Sequence, residues 1–419
     1  MDSILRCIKC GKEYDINRIR YFCECGSLLD VIHDVKDVSL DTFEKRIGKG
    51  FPYNSGIWRY KELVLPVENK FIVSKPEGNT NLYVSSQVAE YCGLENLGLK
   101  HEGENPTGSF KDRGMTSGVT AARFLGAKTV ACASTGNTSA SMASYADTGG
   151  LKAVVFIPEG KIAYGKLSQA LAYGAETMQI RGNFDDAMAL VQEVSAELGL
   201  YLLNSVNPFR LEGQKTIMFE TLQQMSWEIP DWIVVPGGNL GNSSSFGKAF
   251  HELKQLGLID KMPRIAIIQA HGSNPLYRSF KNGFKKYEPV KDPETIATAI
   301  KIGNPVNYDK AVRAINWTNG TVEEVTEQEI MDAKAVVDGS GVGAEPASCA
   351  SVAGAKKLVE KGVIKEDENI VCILTGNLLK DPDATVNYHM NKISGIKPAY
   401  PNKPTVIDSN LAAVKQNLR

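Results

Sequence analysis

The feature that most constrains the fold is an alternation of short apolar runs with stretches of helical pattern. The runs are rich in Val and Ile and read KTVACAS, KAVVFIP, AETMQI, YLLNS, DWIVVPGG, RIAIIQA and NIVCILTG. Such alternation is typical of βαβ units, in which helices join parallel strands and cover the sheet. The sequence therefore predicts an α/β fold with mostly parallel sheets. One intervening helix is predicted to begin after Asn183 as its N-cap and to end at Gly199.

Composition and charge limit the possible classes of function. The 419 residues include 47 Lys and Arg against 48 Asp and Glu, and 43% are hydrophobic. A chain of this length can bury a large core and form two or three domains. Nucleic acids and anionic membranes both call for clustered basic residues, and no apolar run has the length of a membrane span or a signal peptide. We therefore expect neither partner, and a cytoplasmic location.

Four of the eight cysteines lie within the first 25 residues. Cys7 and Cys10 form C-x-x-C, Cys23 and Cys25 form C-x-C, and a glycine follows each pair. The pattern is close to a zinc ribbon, in which two thiolate turns close a tetrahedral site, although the second turn is one residue short. The alternatives are an empty ribbon, a redox or disulfide role, and a ribbon that binds nucleic acid or protein. The other four cysteines lie in apolar or small-residue stretches and indicate buried thiols in a reducing compartment.

Four predicted strands are followed by loops rich in Gly, Asn, Ser or Thr. These strand ends read CASTGNTSAS, LLNSVNPFRLEGQKT, VVPGGNLGNSSS and ILTGNLLKDPD. The carboxyl ends of parallel strands meet at one edge of a sheet, where the N-termini of the following helices point their amides into a crevice. We therefore expect these loops to line a ligand site.

The glycine-rich loop offers consecutive backbone amides but no lysine, so it matches neither G-x-x-x-x-G-K-[ST] nor G-x-G-x-x-G. These amides would suit a cofactor with one phosphate monoester and belong to Gly237, Gly238, Asn239, Leu240 and Gly241. Taken alone, the loop is equally explained as a strand-to-helix turn that needs glycine. Two further features favour the cofactor: Lys111 follows the tight polar turn of ENPTGSFKDRG, and Thr375 ends the last strand. An amine for a Schiff base, amides for a phosphate and a neutral hydroxyl for a ring nitrogen are the groups that pyridoxal phosphate requires.

Six segments together resemble the threonine synthases, a family of pyridoxal-phosphate enzymes that share the fold of the tryptophan synthase β subunit. The segments are NPTGSFKDRG, ASTGNTSAS, NSVNPFRLEGQKT, PGGNLGN, GVGAEPASCASVAG and LTGNLLKDPD, and the resemblance extends from about Trp58 to Asp383. The lysine motif and the glycine loop also resemble those of threonine and serine dehydratases. The stretch NSVNPFRLEGQKT is narrower and favours the synthases.

The resemblance implies fold type II, with two open, mostly parallel α/β domains and flanking helices. We expect a ribbon-like segment and docking arm over 1–60, a larger cofactor-binding domain over 61–114 and 206–385, a smaller mobile domain over 115–205, and a tail over 386–419. The resemblance also implies a homodimer.

The same resemblance implies the cofactor site. Lys111 would hold pyridoxal phosphate and move protons at the substrate, Asn137 would contact the phenolic oxygen of the ring, and Thr375 would face the ring nitrogen. The phosphate would rest on the amides of the glycine loop over 237–241. Phe110 is expected on extended backbone, with a helix that begins at Asp112.

The substrate is implied to carry a phosphate of its own. Its carboxylate and phosphate would bind Ser134, Thr135, Thr138, Asn204, Ser205 and Arg210. Arg210 has the charge and the forked geometry that match a phosphate, and its alternative is a surface ion pair with Glu212.

The implied reaction converts O-phospho-L-homoserine and water to L-threonine and phosphate. Two other enzymes stay open as alternatives. A threonine or serine dehydratase would share Lys111 but would not need Arg210. A replacement enzyme similar to cysteate synthase, acting on O-phosphoserine, would keep a phosphate site.

Overall fold

The structure is a computed structural model that describes residues 3–159, 164–182 and 184–418. Its strands are β1 (Ser3–Cys7), β2 (Glu13–Asp15), β3 (Leu29–His33), β4 (Leu82–Val84), β5 (Leu97–His101), β6 (Thr129–Ala133), β7 (Lys152–Pro158), β8 (Glu176–Ile180), β9 (Tyr201–Leu202), β10 (Trp232–Pro236), β11 (Arg264–Ala270), β12 (Thr321–Val325) and β13 (Ile370–Leu374).

The helices mostly alternate with the strands along the chain. They are α1 (Leu40–Glu44), α2 (Lys61–Val64), α3 (Ser86–Cys92), α4 (Lys111–Phe124), α5 (Asn137–Thr148), α6 (Tyr164–Ala172), α7 (Phe184–Leu198), α8 (Pro208–Gln214), α9 (Thr216–Gln224), α10 (Gly241–Gln255), α11 (Pro275–Lys281), α12 (Tyr308–Thr318), α13 (Glu327–Gly339), α14 (Pro346–Glu360), α15 (Pro382–His389) and α16 (Leu411–Asn417). Within the described ranges, none of these helices combines the length and the apolar character needed to cross a membrane.

The largest sheet has six strands in the order β12-β11-β10-β13-β5-β4. Neighbouring strands are parallel except at the edge, where β4 runs antiparallel to β5. Every residue of β10 (WIVVP) and β13 (IVCIL) is buried. Near-continuous apolar strands of this kind are expected where a parallel sheet is covered on both faces.

A second sheet has four parallel strands in the order β8-β7-β6-β9. Each of the apolar runs recognised in the sequence forms a strand of one of these two sheets, so the predicted α/β fold with mostly parallel sheets is confirmed. Helix α7 also ends as predicted, because Gly199 follows it with a φ of +68°. Its predicted cap, Asn183, lies outside the described residues.

The two larger sheets share one hydrophobic cluster. Buried side chains from both sheets belong to it, for example Val130 and Val155 from the smaller sheet and Ile233 and Val235 from the larger. Helix α4 spans position 114, where the sequence had placed a domain boundary, and packs against both α5 and α8. The helix that begins with Lys111 therefore joins the two halves of the molecule.

The N-terminal residues form an antiparallel sheet in the order β2-β1-β3, which is docked on the larger sheet's helices by charged groups. Asp30 on β3 pairs with Lys310 at 3.0 Å and with Arg313 at 2.7 Å, both on α12. Further along, Trp58 and Tyr60 are completely buried in the shared hydrophobic cluster. The segment before residue 60 is thus an integral part of the fold.

A buried group of charges lies directly behind the start of α4. Arg113 binds Glu102 at 2.6 Å and Glu220 at 2.8 Å, and Lys100 binds Glu220 at 2.7 Å, with every side chain at most 2% exposed. Burial raises the pKa of Glu220, but the charges of Arg113 and Lys100 outweigh it and hold this pKa well below its usual range. Two cations and two carboxylates balance each other, so the group can be buried as a neutral unit.

This balance predicts a large effect of neutralising Glu220. Glu220→Gln leaves a buried positive charge without its counterion, and we expect the free energy of unfolding to fall by about 3 to 5 kcal/mol. Urea unfolding followed by circular dichroism measures the change. Glu68→Gln, which removes an exposed carboxylate paired with Lys70, is the control and should change it by less than about 1 kcal/mol. Equal unfolding midpoints for the two variants would contradict the prediction.

Candidate active site

Lys111 lies at the carboxyl edge of the six-stranded sheet, where its loop pairs with the residues that follow β13. The amide of Phe110 donates to the carbonyl of Thr375 at 3.0 Å, and the amide of Asn377 donates to the carbonyl of Gly108 at 2.9 Å. These two hydrogen bonds, made by the residues just before the lysine, fix its loop to the end of the central strand. Lys111 and Thr375 are therefore held side by side, although 264 positions separate them in the sequence.

The turn before the lysine is closed by the buried carboxylate of Asp112. It accepts hydrogen bonds from the amide and the hydroxyl of Thr107, each at 2.6 Å, and from Ser141 on α5 at 2.5 Å. Burial raises the pKa of Asp112 to about 6, against the lowering effect of these donors. The expected extended conformation of Phe110 is wrong: its φ of −56° and ψ of −15° are helical, because α4 begins at Lys111 and Phe110 is its N-cap.

The amine of Lys111 is in an unusual electrostatic environment. Burial and the guanidinium of Arg210 lower its pKa to about 7, and the carboxylate of Glu345 opposes part of this shift. Its Nζ lies 3.8 Å from the centre of the Phe110 ring. A lysine with such a pKa is partly neutral near pH 7, so it can act as a nucleophile and as a base.

The glycine loop connects β10 to α10 and forms a cradle of backbone amides. Within the described chain, the amides over 238–243 donate no hydrogen bond. A Cβ on Gly237 would lie 2.7 Å from Ile267, and one on Gly241 would lie 3.0 Å from Gln214 Oε1, so side chains would not fit there. The loop favours glycine because its backbone passes close to other groups, and not because of a positive φ, which only Leu240 has in this loop.

The first turn of α10 adds a polar side chain to this cradle. Ser243 Oγ is buried and has no hydrogen-bond partner among the described residues. Leu240, the N-cap, has a left-handed conformation with φ of +62° and provides no side-chain cap. Unpaired amides, an unpaired hydroxyl and the positive end of a 15-residue helix together fit a phosphate ester.

Thr375 and Asn137 approach the lysine from different elements. Thr375 Oγ1 lies 3.0 Å from Ser348 Oγ on α14, so the group that ends β13 is a neutral hydroxyl pair. Asn137 begins α5, and its Nδ2 donates to Glu345 Oε1 at 3.2 Å. These neutral groups fit the weakly polar contacts that a pyridine nitrogen and a phenolic oxygen require.

Arg210 on α8 is a buried cation without a carboxylate partner among the described residues. Its Nη1 donates to the carbonyl of Leu203 at 3.0 Å, while its Nε has no partner. Burial lowers the pKa of Arg210 to about 10. The surface ion pair with Glu212 is excluded, because Glu212 is buried and binds Lys215 at 2.6 Å and also Lys248. A buried charge of this kind is costly unless an anion binds beside it.

The other residues expected to bind substrate lie near two strand ends of the smaller sheet. Ser134, Thr135 and Thr138 are half-buried at the start of α5, and no atom lies within 4 Å of a Cβ placed on Gly136. The side chain of Asn204 exchanges two 3.0 Å hydrogen bonds with the backbone of Ala133, so it joins the loop after β9 to the end of β6. The carbonyl of Ser205 accepts from Asn307 Nδ2 at 3.2 Å. The opening beside the first amides of α5 has room for a carboxylate.

The four N-terminal cysteines converge on one point. All four Sγ atoms lie within 4.8 Å of one another, with Cys7 and Cys25 at 3.6 Å and Cys10 and Cys23 at 3.5 Å. Zinc–sulfur bonds of about 2.3 Å would place the sulfurs of a tetrahedral site about 3.8 Å apart. The geometry therefore fits a zinc ion, and the short second turn does not prevent the convergence.

Comparison with known proteins gives the family. The family model described as pyridoxal-phosphate dependent enzyme matches residues 73–376. The threonine synthase of Methanocaldococcus jannaschii is 51% identical over 91% of this chain and 94% of its own length, and that of Methanosarcina acetivorans is 48% identical over 98% of each. The chain belongs to the threonine synthase family of pyridoxal-phosphate-dependent enzymes. The crystal structure of threonine synthase from Escherichia coli has the same fold, with a TM-score of 0.71 at 18% identity over 99% of this chain and 98% of that one.

Three polar residues of this family member contribute to the site but were not identified as site residues from the sequence. Glu345 and Ser348 lie in the GVGAEPASCASVAG segment and contact Asn137 and Thr375. Gln214 lies between α4 and the glycine loop, and its Oε1 is buried without a partner among the described residues. Their segments had been recognised, but no local pattern indicated which of their side chains turn toward Lys111.

The pKa of Lys111 predicts selective chemistry in the cofactor-free protein. At pH 7 about half of its amine is neutral, against about one in several thousand for an ordinary lysine. Cyanate, which is small and reacts with neutral amines, should therefore carbamylate Lys111 first, with a labelling midpoint near pH 7. Peptide mapping by mass spectrometry measures the label, with the exposed Lys403 as the internal control. A label spread evenly over all lysines would contradict this environment.

Proposed function

We infer that this protein catalyses the threonine synthase reaction, in which O-phospho-L-homoserine and water give L-threonine and phosphate. The observation that carries this conclusion is the buried guanidinium of Arg210, which has no carboxylate partner among the described residues and lies close enough to Lys111 to lower its pKa. A site with a reactive amine and an uncompensated cation suits an amino acid that carries a phosphate. Relatives with this activity in their names match nearly the whole chain at 48% and 51% identity.

For the cofactor, we propose that Lys111 holds pyridoxal phosphate, with Thr375 at the ring nitrogen and Asn137 at the phenolic oxygen. The phosphate rests on the backbone amides of Gly237, Gly238, Asn239, Leu240 and Gly241. When bound, the cofactor supplies an electron-withdrawing ring that stabilises negative charge on carbons near the substrate's amine. The unpaired amides and the buried hydroxyl of Ser243 support this placement.

For the substrate, we propose that its carboxylate and phosphate bind between the two sheets. The residues that hold it are Ser134, Thr135, Thr138, Asn204, Ser205 and Arg210. Arg210 takes the phosphate, because it is the one member of this set with a fixed charge. The half-buried residues at the start of α5 bind the carboxylate of the substrate.

In the proposed reaction, Lys111 moves the protons. Its amine removes a proton from the α carbon of the substrate and then one from the β carbon. The bond between the γ carbon and the phosphate oxygen breaks, and the phosphate leaves while paired with Arg210. A proton is added at the γ carbon, the oxygen of water bonds to the β carbon while a proton of that water passes to the departed phosphate, and a proton returns to the α carbon.

We propose that residues 115–205 act as a small mobile domain over a larger one built from 61–114 and 206–385, with the N-terminal segment and the C-terminal tail outside both. The half-buried residues over 134–138 support this, since they leave an opening that could close on the substrate. Closure would exclude water until phosphate has left. We also propose that the enzyme is a cytoplasmic homodimer, and the four buried cysteines outside the N-terminal cluster, none of them in a disulfide among the described residues, fit a reducing compartment.

The reaction itself is tested by separate incubations with phosphohomoserine, phosphoserine and threonine. Threonine and phosphate should form from phosphohomoserine. Release of ammonia from threonine that is faster than release of phosphate from phosphohomoserine would favour a dehydratase. Turnover of phosphoserine without turnover of phosphohomoserine would favour a replacement enzyme.

The role of Arg210 predicts a specific kinetic loss. Arg210→Ala removes a charge-assisted contact in a buried site and should cost about 2 to 4 kcal/mol of transition-state stabilisation. This cost corresponds to a decrease in kcat/KM of roughly tens to several hundreds of fold. Arg210→Lys should recover only part, because an ammonium lacks the planar fork. The absorption of the bound cofactor should stay unchanged. Arg181→Ala removes a side chain that is 93% exposed and should have no effect. Intact phosphohomoserine turnover in Arg210→Ala would exclude the assigned role.

We propose that Cys7, Cys10, Cys23 and Cys25 bind one structural zinc ion. Metal analysis should then find about one zinc per chain, and the double variant Cys7→Ser/Cys10→Ser should lose it together with thermal stability. Turnover should largely persist, because the four thiols belong to the N-terminal sheet and not to the elements that carry Lys111 and Arg210. Cys349→Ala, at a buried cysteine of α14, should keep its zinc. A fully stable native protein without metal would contradict the assignment.

A further inference from the structure

Glu345 is a buried carboxylate between the two larger sheets. It is only 6% exposed and forms the N-cap of α14, which packs on the six-stranded sheet. Both of its carboxylate oxygens approach Asn137 Nδ2, at 3.2 and 3.4 Å, and Asn137 is the first residue of α5 beside the four-stranded sheet. A single carboxylate thus connects the two sheets at the edge where Lys111 lies.

The backbone holds Glu345 against the same strand end that fixes the lysine. Its amide donates to the carbonyl of Gly376 at 3.1 Å, and Ala344 pairs with Asn377. A Cβ on Gly376 would lie 2.4 Å from Glu345 Oε1, so only glycine allows the carboxylate to lie this close. The position of Glu345 is therefore coupled to the Lys111 loop through three consecutive residues after β13.

The fold places this carboxylate where a helix terminus favours a negative charge. It lies at the N-terminus of the 15-residue helix α14, where the helix dipole favours a negative charge. Its charge raises the pKa of Lys111 and of Lys380, while the charge of Arg210 lowers the pKa of Lys111. Glu345 therefore opposes the effect of Arg210 on the pKa of Lys111.

We propose that Glu345 is a positioning residue of this active site, whose carboxylate holds the side-chain amide of Asn137 and supplies the negative charge that faces Lys111. The proposal rests on the function of Lys111 inferred above. When both oxygens of Glu345 share one hydrogen of Asn137 Nδ2, the second hydrogen can donate to an oxygen of the cofactor. The same carboxylate makes Lys111 a stronger base than burial and Arg210 alone would allow.

The test separates the charge from the hydrogen bond. Glu345→Gln keeps the shape and one acceptor oxygen but removes the charge, so the midpoint of Lys111 carbamylation in the cofactor-free protein should move to lower pH by about one unit. Glu345→Ala removes both, so it should show the same shift and also bind pyridoxal phosphate about tenfold more weakly. Glu360→Gln, at the exposed far end of α14, is the matched control and should show neither change.

The proposal would be overturned if Lys111 had the same carbamylation midpoint in the Glu345→Gln variant as in the wild-type protein. If Glu345→Ala does not fold, Glu345→Gln still decides, with its native state checked by near-ultraviolet circular dichroism. The labelling uses no substrate, so its result is independent of the product assay. A failure of the proposed reaction and a failure of this inference are therefore distinguishable.

Discussion

The buried ion pairs of Arg113 are the interaction on which the geometry of the site depends. Arg113 is two residues after Lys111, and its carboxylate partners come from β5's end and from α9. One partner, Glu102, also accepts a hydrogen bond from Asn105 Nδ2 at 2.9 Å, and Asn105 begins the turn that leads to the lysine. The turn is therefore anchored at both ends to a neutral, fully buried group, so the lysine backbone cannot move without exposing charge.

Buried cations of this protein differ in whether a carboxylate pairs with them, and this difference separates cations that stabilise the fold from one that is available to a ligand. Lys215 and Lys248 are also buried, but both bind Glu212 and Glu252, so two carboxylates neutralise their two charges within the fold. Arg210 is on the same helix as Glu212 and has only a carbonyl contact. Since a fold gains nothing from burying an uncompensated charge, Arg210 is best explained by an anion that is part of the reaction.

Prediction from the sequence succeeded where the signal was local. The apolar strands, the loops at their ends and the lysine after a tight turn can all be recognised from neighbouring residues. Strands β4, β5 and β12 of the six-stranded sheet were missed. Strand β4 has three residues, β5 (LGLKH) contains a glycine and two basic residues, and β12 (TVEEV) carries two glutamates at the edge of the sheet. The contact between Asn137 and Glu345 joins residues 208 positions apart, so no periodicity could reveal it. For Arg210 the sequence left a phosphate contact and a surface ion pair with Glu212 open, because it does not show that Glu212 is buried with Lys215 and Lys248.

The contacts of the N-terminal sheet bear on the readings that the sequence left open for the ribbon. The outer loops of the ribbon are exposed, but several polar groups of this segment contact the rest of the chain. His33 lies 3.2 Å from Glu212 on α8, Lys248 donates to the carbonyl of Val31, and the hydroxyl of Tyr21 accepts from the amide of Leu202 at 2.7 Å. The sheet thus contacts helix α8, which carries Arg210, and also the edge strand of the smaller sheet. These contacts favour an internal structural role for the ribbon, next to the segment that we propose binds the substrate's phosphate.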